Sequence, residues 1–319
     1  NIILNITNVR AIIKKNINGW IIVDKQVGIT SRQVVTKISK ILNLKKVGHG
    51  GTLDPLATGI LPIAIGEATK VISLVQSKEK KYAFIIKWGV STETDDSEGK
   101  VLEISKARPT HKEITSILNC FIGNVFQKPP LYSAIKINGQ RSYKLARQKI
   151  EIEHKLRKIK VYNLTLKKII DVNSAEFEVT CGKGTYVRSL ARDIAEKLNT
   201  KGHIMSLRRL SVGTFDEKDT IFIDFSKEII HSPSVLDKLL PIETVLDDIP
   251  ALVLNEIEAR QVKQGQKIKF ESLQFIKNFE LKYPNYNAFE KICAICNKKL
   301  IALIKIEDGK VKPARIINF

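Results

Sequence analysis

Gly48-His49-Gly50-Gly51-Thr52-Leu53-Asp54-Pro55-Leu56-Ala57-Thr58-Gly59 puts one carboxylate in a glycine-bounded turn a few residues from an imidazole. The glycines at 48, 50 and 51 allow close backbone approach that a side chain would block, and Pro55 fixes the chain just after Asp54. Asp54 is therefore the first candidate for chemistry. Asp before Pro is also ordinary turn chemistry, in which the carboxylate only hydrogen-bonds its own backbone.

The whole run from Gly48 to Lys70, G-H-G-G-T-L-D-P-L-A-T-G-I-L-P-I-A-I-G-E-A-T-K, closely resembles the signature of the tRNA pseudouridine synthase B (TruB) family. Other stretches follow in that family's order. Asn18 to Ser31 resembles its opening strand and turn, K-K-Y-A-F around Tyr82 its tyrosine segment, and Cys181 to Ile194 and Leu207 to Leu210 two further motifs. The resemblance runs from Asn18 to about Pro241 and is weaker beyond. One departure is visible: Gln26 stands in D-K-Q-V-G where the family usually has proline, which puts the geometry of that loop in question.

The resemblance implies an α+β fold. A mixed, largely antiparallel sheet would form a catalytic domain over residues 1–245, with a basic RNA-clamping insertion at about 122–160. A small PUA-like β domain would follow over 250–319. The implied reaction isomerises uridine to pseudouridine at position 55 in the T-loop of tRNA, with no cofactor and no metal. It breaks the bond from ribose C1′ to uracil N1, turns the base and rejoins it through C5. The chemistry needs a nucleophile or base near C1′, a surface for the freed ring and an acceptor for the C5 proton.

The family pattern assigns the first role to Asp54, by covalent attack or by proton abstraction through a glycal. Arg188 matches the arginine that keeps this carboxylate ionised, and Tyr82 the active-site tyrosine. His49 matches a histidine on the RNA-contacting face, while Tyr186 and Leu207 match positions around the uracil. Lys136, Arg141, Lys144 and Arg147 are the expected RNA contacts of the insertion. The implied partner is the tRNA T stem-loop alone, bound by a monomer with no protein partner. Two rivals stay open: a guide-RNA-dependent relative of the same superfamily, and an RNA-binding or RNA-refolding module. Activity on naked tRNA separates them.

Charge supports a polyanionic partner. Lys and Arg total 53 against 33 Asp and Glu, a net charge of +20, and phosphates attract such a surplus at long range. The abundance of Lys, Ile and Asn together offers a compositional alternative. From Lys136 to Lys160 there are nine Lys or Arg and two Glu, which outside the family context is as well read as a solvated face. No apolar run reaches the roughly 18 residues of a spanning helix, and the N-terminal stretch has no secretory pattern, so a cytoplasmic location is expected. The sequence opens on Asn1, and a residue or more is expected upstream.

Local signals predict the elements. Gly19 to Asp24 is a short apolar strand, Ser31 caps a helix to Leu42, Glu67 to Val75 is helical, and Tyr82 to Val90 alternates as a strand. The acidic stretch from Ser91 to Lys100 reads as a solvated loop. His111 to Asn119 is a helix capped by Thr110, Val161 to Cys181 alternates as strand, and Leu190 to Leu198 is a helix with Arg188 just before it. Pro241 to Pro250 reads as a linker, and Phe270 to Tyr286 as an unusually aromatic insertion. Of four cysteines, only Cys293 and Cys296 have metal or redox spacing. They fall in a predicted strand that turns at Asn297-Lys298-Lys299, where an offset of three sends the sulfurs to opposite faces and argues against a metal.

Overall fold

A computed structural model of the chain describes residues 17–133, 135–137, 139–148, 150, 154–225, 235–286, 289 and 291–318. Strand β1, Gly19–Lys25, is buried almost throughout, and its two faces serve different cores. Ile21 and Val23 enter one apolar cluster while Trp20 and Ile22 enter another, as the two-residue period of a strand requires. Helix α1, Ser31–Leu42, buries Val34, Ile38 and Leu42 along one stripe and ends at Asn43 in a left-handed conformation. Its cap is Thr30, in a capping box with Gln33, and not Ser31. The offset frees the Ser31 hydroxyl for another task.

Strands β2, Val47–His49, and β3, Thr58–Ile65, form a hairpin around the Asp54 loop, and β3 also pairs antiparallel with β1. The helical stretch after β3 is a 3-10 turn over Gly66–Val71 followed by α2, Ile72–Ser77. Strand β4, Lys80–Trp88, alternates buried and half-buried residues as expected, and β5, Val90–Thr92, pairs with β6, Val101–Ile104. Helix α3, His111–Ile117, carries the predicted Thr110 cap, closed by Glu113. Strand β7, Gly123–Gln127, precedes an insertion with a two-strand ribbon, β8, Lys136–Ile137, and β9, Gln140–Arg141, and a short helix α4, Ser142–Arg147.

The alternating stretch expected as one strand is instead the later part of a hairpin. Strand β10, Arg157–Asp171, turns at Val172 and Asn173 into β11, Ser174–Cys181. β10 buries Ile159, Val161 and Leu164 but is exposed from Lys167 to Asp171, where it runs out to the turn. Helix α5, Val187–Lys197, β12, Gly202–Val212, and β13, Thr220–Phe222, complete the unit. Its sheet runs β13-β1-β3-β12-β4-β11-β10-β7, with β2 on β3. Within it only β1–β13 and β3–β12 are parallel pairs, so the sheet is mixed and largely antiparallel.

A second sheet, β14-β16-β17-β18-β15, is built from β14, Ala251–Val253, β15, Ile268–Lys269, β16, Ile292–Cys296, β17, Lys299–Glu307, and β18, Lys310–Ile316. Helix α6, Glu256–Lys263, follows β14, and α7, Ile276–Lys282, lies in the aromatic insertion. There Phe270, Phe279, Tyr283 and Tyr286 form a chain of ring contacts that extends the module's core. The β16–β17 turn has positive φ at Asn297 (50°) and Lys298 (62°), the type I′ pattern of a tight hairpin. Cys293 and Cys296 are buried in different clusters, on opposite faces of β16.

The stretch read as a linker is part of the core. Ile242, Val245 and Leu246 are buried in one cluster with Trp20 of the first sheet, Phe215 just after β12, and Cys293, Leu300 and Leu303 of the second sheet. The two sheets meet across a continuous apolar seam.

Candidate active site

The loop between β2 and β3 is pinned from three sides by buried side chains. From β1, the Lys25 ammonium donates to the carbonyls of Gln26 (2.8 Å), Ile29 (2.6 Å) and Pro55 (3.2 Å). From α1, the Ser31 hydroxyl accepts from the Leu53 N–H and donates to the Leu53 carbonyl. From β12, Arg209 donates to the carbonyls of Ile60 (2.7 Å) and Gly51 (3.1 Å). Gly59 sits so close to β12 that a Cβ would lie 2.2 Å from the Arg209 carbonyl oxygen, at φ 96°, so no other residue fits. The Gln26 loop is held without its proline: the Gln26 carbonyl accepts from Lys25, and the Gly28 N–H donates to Pro55 at 2.8 Å.

Asp54 rises from this loop into a cavity of about 230 Å³, lined also by Thr52, Leu53, Tyr82, Ser133, Thr185, Tyr186, Val187, Arg188 and Leu207. Five of the expected residues, Asp54, Tyr82, Tyr186, Arg188 and Leu207, thus meet at one hollow. The Arg188 Nε lies 2.9 Å from Asp54 Oδ2, an ion pair by distance but without hydrogen-bond alignment. Arg188 is inside the first turn of α5, 5% exposed, and its other nitrogens donate to the carbonyls of Thr94 (2.8 Å) and Tyr132 (3.0 Å).

The acidic stretch is not a solvated loop. Asp96 is 2% exposed and its Oδ2 stands 3.5 Å from Arg188 Nη1. Asp95 pairs with Arg192 at 2.8 Å, and burial pushes its carboxyl up to about 6 against the pull of Arg192 and Arg188. Two arginines four positions apart on α5 therefore draw the stretch inward.

Tyr82 is nearly buried on β4, between its ladder partners Val179 and Arg209. Burial raises its phenol above the ordinary tyrosine value, which keeps it a hydrogen-bond donor. Tyr186 caps α5 and is held by the Gln127 amide, which accepts from the Tyr186 N–H and donates to its carbonyl. His49 lies outside the cavity lining, on β2 opposite Ile63. Burial and then Arg209 lower its pKa, so it is a neutral imidazole, with Nδ1 buried and unpartnered. The side chains of Lys136, Arg141, Lys144 and Arg147 lie outside the described residues.

Lys25, Ser31, Asp96 and Arg209 are functional supports that the sequence reading passed over. Ser31 was hidden by its resemblance to a cap, and Arg209 by its neighbour Leu207 in L-R-R-L. Among the described residues no cluster of three or more His, Cys, Asp or Glu is placed to hold a metal, and no helix is long and apolar enough to cross a membrane.

One hollow thus brings together the Asp54 carboxylate, the Arg188 guanidinium, two tyrosines and the apolar Leu207. On a mixed, largely antiparallel sheet joined to a small β module, that arrangement defines the class as pseudouridine synthase. The fold is shared with solved structures: a chain of a Cbf5–Nop10–Gar1 complex superposes with a TM-score of 0.72 at 24% identity, covering 97% of this chain and 87% of that one. A chain of an H/ACA ribonucleoprotein bound to a substrate RNA gives 0.68 at 22%, covering 98% and 87%.

The chain belongs to the TruB family of pseudouridylate synthases, whose N-terminal domain model matches residues 39–187. A model of the tRNA pseudouridylate synthase B C-terminal domain matches residues 188–247. The chain is 45% identical to the tRNA pseudouridine synthase B of Rhodospirillum rubrum, across 95% of this chain and 97% of that protein. It is 40% identical to the enzyme of the same name from Ehrlichia ruminantium, across 94% and 99%.

Proposed function

We propose that this protein converts uridine 55 in the T-loop of tRNA to pseudouridine, with Asp54 as the group that acts at ribose C1′ or its neighbouring C2′ proton. The observation that carries the reading is the Asp54–Arg188 pair, 2.9 Å apart in a hollow walled by Tyr82, Tyr186 and Leu207. Arg188 is the cation beside that carboxylate, and the Thr94 and Tyr132 carbonyls and Asp96 hold Arg188 in place.

The target nucleotide leaves its stack to reach the hollow, since C1′ is inaccessible within a folded loop. As the C1′–N1 bond breaks, N1 takes up a proton; after the ring turns, C5 joins C1′ and gives up its own. Tyr82 and Leu207 confine the ring between these steps, and the Tyr82 phenol is a proton carrier on that wall. The reading includes a catalytic unit at residues 1–245, an RNA clamp at about 122–160 carrying Lys136, Arg141, Lys144 and Arg147, and an RNA-binding module at 250–319. It also includes action as a monomer on tRNA alone, in the cytoplasm.

The test is base-resolution mapping of pseudouridine in naked tRNA treated with the purified protein. A single new pseudouridine at position 55 is expected. Conversion only in the presence of a guide RNA, or at another site, would overturn the reading.

A further inference from the structure

The signature run ends in Gly66-Glu67-Ala68-Thr69-Lys70, which is no part of the catalytic cavity and meets the C-terminal strand instead. The Glu67 carboxylate, 8% exposed, takes Lys46 Nζ on one oxygen (3.1 Å) and Lys70 Nζ on the other (2.6 Å). The Asn318 N–H donates to that second oxygen at 2.8 Å, and Lys70 also donates to the Ile316 carbonyl at 2.7 Å. Glu67 thus ties the end of the second sheet to the first.

Along the same seam run three adjoining hollows of about 740, 400 and 660 Å³, all lined by Ser73. Tyr186 belongs both to the catalytic cavity and to the first hollow. Lys291 joins the first to the second, and Lys70 and Arg315 join the second to the third. Arg157, Lys183 and Lys263 add to these cations, while the acidic lining residue Asp248 is paired with Lys78 at 2.6 Å. The result is one positively charged groove leading from the cavity to Asn318, suited to the phosphates of an RNA strand.

The apolar seam already holds the two sheets together, so the Glu67 cluster is not needed for cohesion. Burial alone would raise the Glu67 carboxyl, but Lys70, the Asn318 N–H and Lys46 outweigh it and hold the group below its ordinary value, so the carboxylate keeps all three in one arrangement. We propose that Glu67 is a positioning residue for RNA beyond the target loop: it fixes Lys70 and the end of the C-terminal strand, keeping the groove aligned with the cavity. This rests on the tRNA reading above.

The experiment compares KM and kcat for whole tRNA and for an isolated T stem-loop, using the full chain and Glu67→Gln. The variant is expected to raise KM for whole tRNA about fivefold, to move KM for the stem-loop less than about twofold, and to leave kcat on both RNAs within about twofold. Lys46→Met, which takes a cation from Glu67 without touching the groove lining, is expected to shift KM in the same direction on whole tRNA only and replaces Glu67→Gln if that variant does not fold. Equal changes on both RNAs, or no change on whole tRNA, would overturn the inference. Failure of the unaltered chain to convert the stem-loop would overturn the tRNA reading and this inference together.

Discussion

The Ser31 hydroxyl exchanges hydrogen bonds with both main-chain groups of Leu53, accepting from the N–H at 2.8 Å and donating to the carbonyl at 3.0 Å. Leu53 directly precedes Asp54, so a residue at the start of a helix sets where the carboxylate stands. Ser31→Ala leaves two buried main-chain groups unpaired, a cost of about 1–3 kcal/mol, and lets the loop shift. A lower melting temperature with kcat reduced about tenfold is expected, because small misplacements of a reacting group are costly. A lower melt with unchanged kcat would restrict Ser31 to stability.

Asp54→Asn is nearly isosteric and keeps the Asp54 carbonyl's bond from the Ala57 N–H, but lacks the charge needed of a nucleophile or base. Single-turnover conversion of a T stem-loop should be abolished while filter binding and the melt persist. Conversion within about tenfold of the parent would remove Asp54 from the chemistry.

Arg188→Met takes the cation from beside Asp54 and from Asp96, whose other oxygen keeps the Thr94 hydroxyl and the Glu98 N–H. Turnover should fall far more than tRNA affinity, since the loss falls beside the group that acts on the ribose. The reverse pattern would make Arg188 a phosphate contact.

Lys25 gives a pH signature. Burial pulls its pKa from 10.5 to about 8, with Asp54 opposing the shift. Between about pH 8 and 10.5 the unfolded chain holds a proton there that the folded chain has released, so folding gains stability as pH rises through this window. Below about 8 both states are protonated and the gain is absent. The melting temperature of the parent should therefore climb relative to Lys25→Met between those pH values and run parallel to it below them. Parallel curves throughout would show that Lys25 is not depressed.

Salt tests the clamp. Log affinity for tRNA should fall linearly with log salt, by about 0.7–0.9 per neutralised phosphate, and replacing Lys144 and Arg147 together should flatten the slope. An unchanged slope would return the insertion to an ordinary solvated surface.

What the sequence made legible was local. The Thr110 cap, the β16–β17 turn and the opposed faces of Cys293 and Cys296 each depend on residues a few positions apart. The misreadings involve distant partners. Asp95 and Asp96 look solvent-bound until α5, more than ninety positions on, brings Arg188 and Arg192 against them. The Val172–Asn173 turn is hidden because the β-branched Ile169, Ile170 and Val172 run up to it while lying exposed at the end of the hairpin. Pro241 to Pro250 has the composition of a linker, and only the docking of the second sheet makes its Ile242 and Val245 core residues.

Strand β16 belongs to two interiors at once, with Cys293 facing the seam and Cys296 facing the aromatic-rich core of the second sheet. Neither half can lose its structure without baring the other, so heating should give a single transition for the whole chain. A chain cut at Pro250 would strip Cys293, Leu300, Leu303 and Ile317 from the cluster they share with Ile242, Val245 and Leu246, and should be recovered as aggregate rather than as a smaller working enzyme.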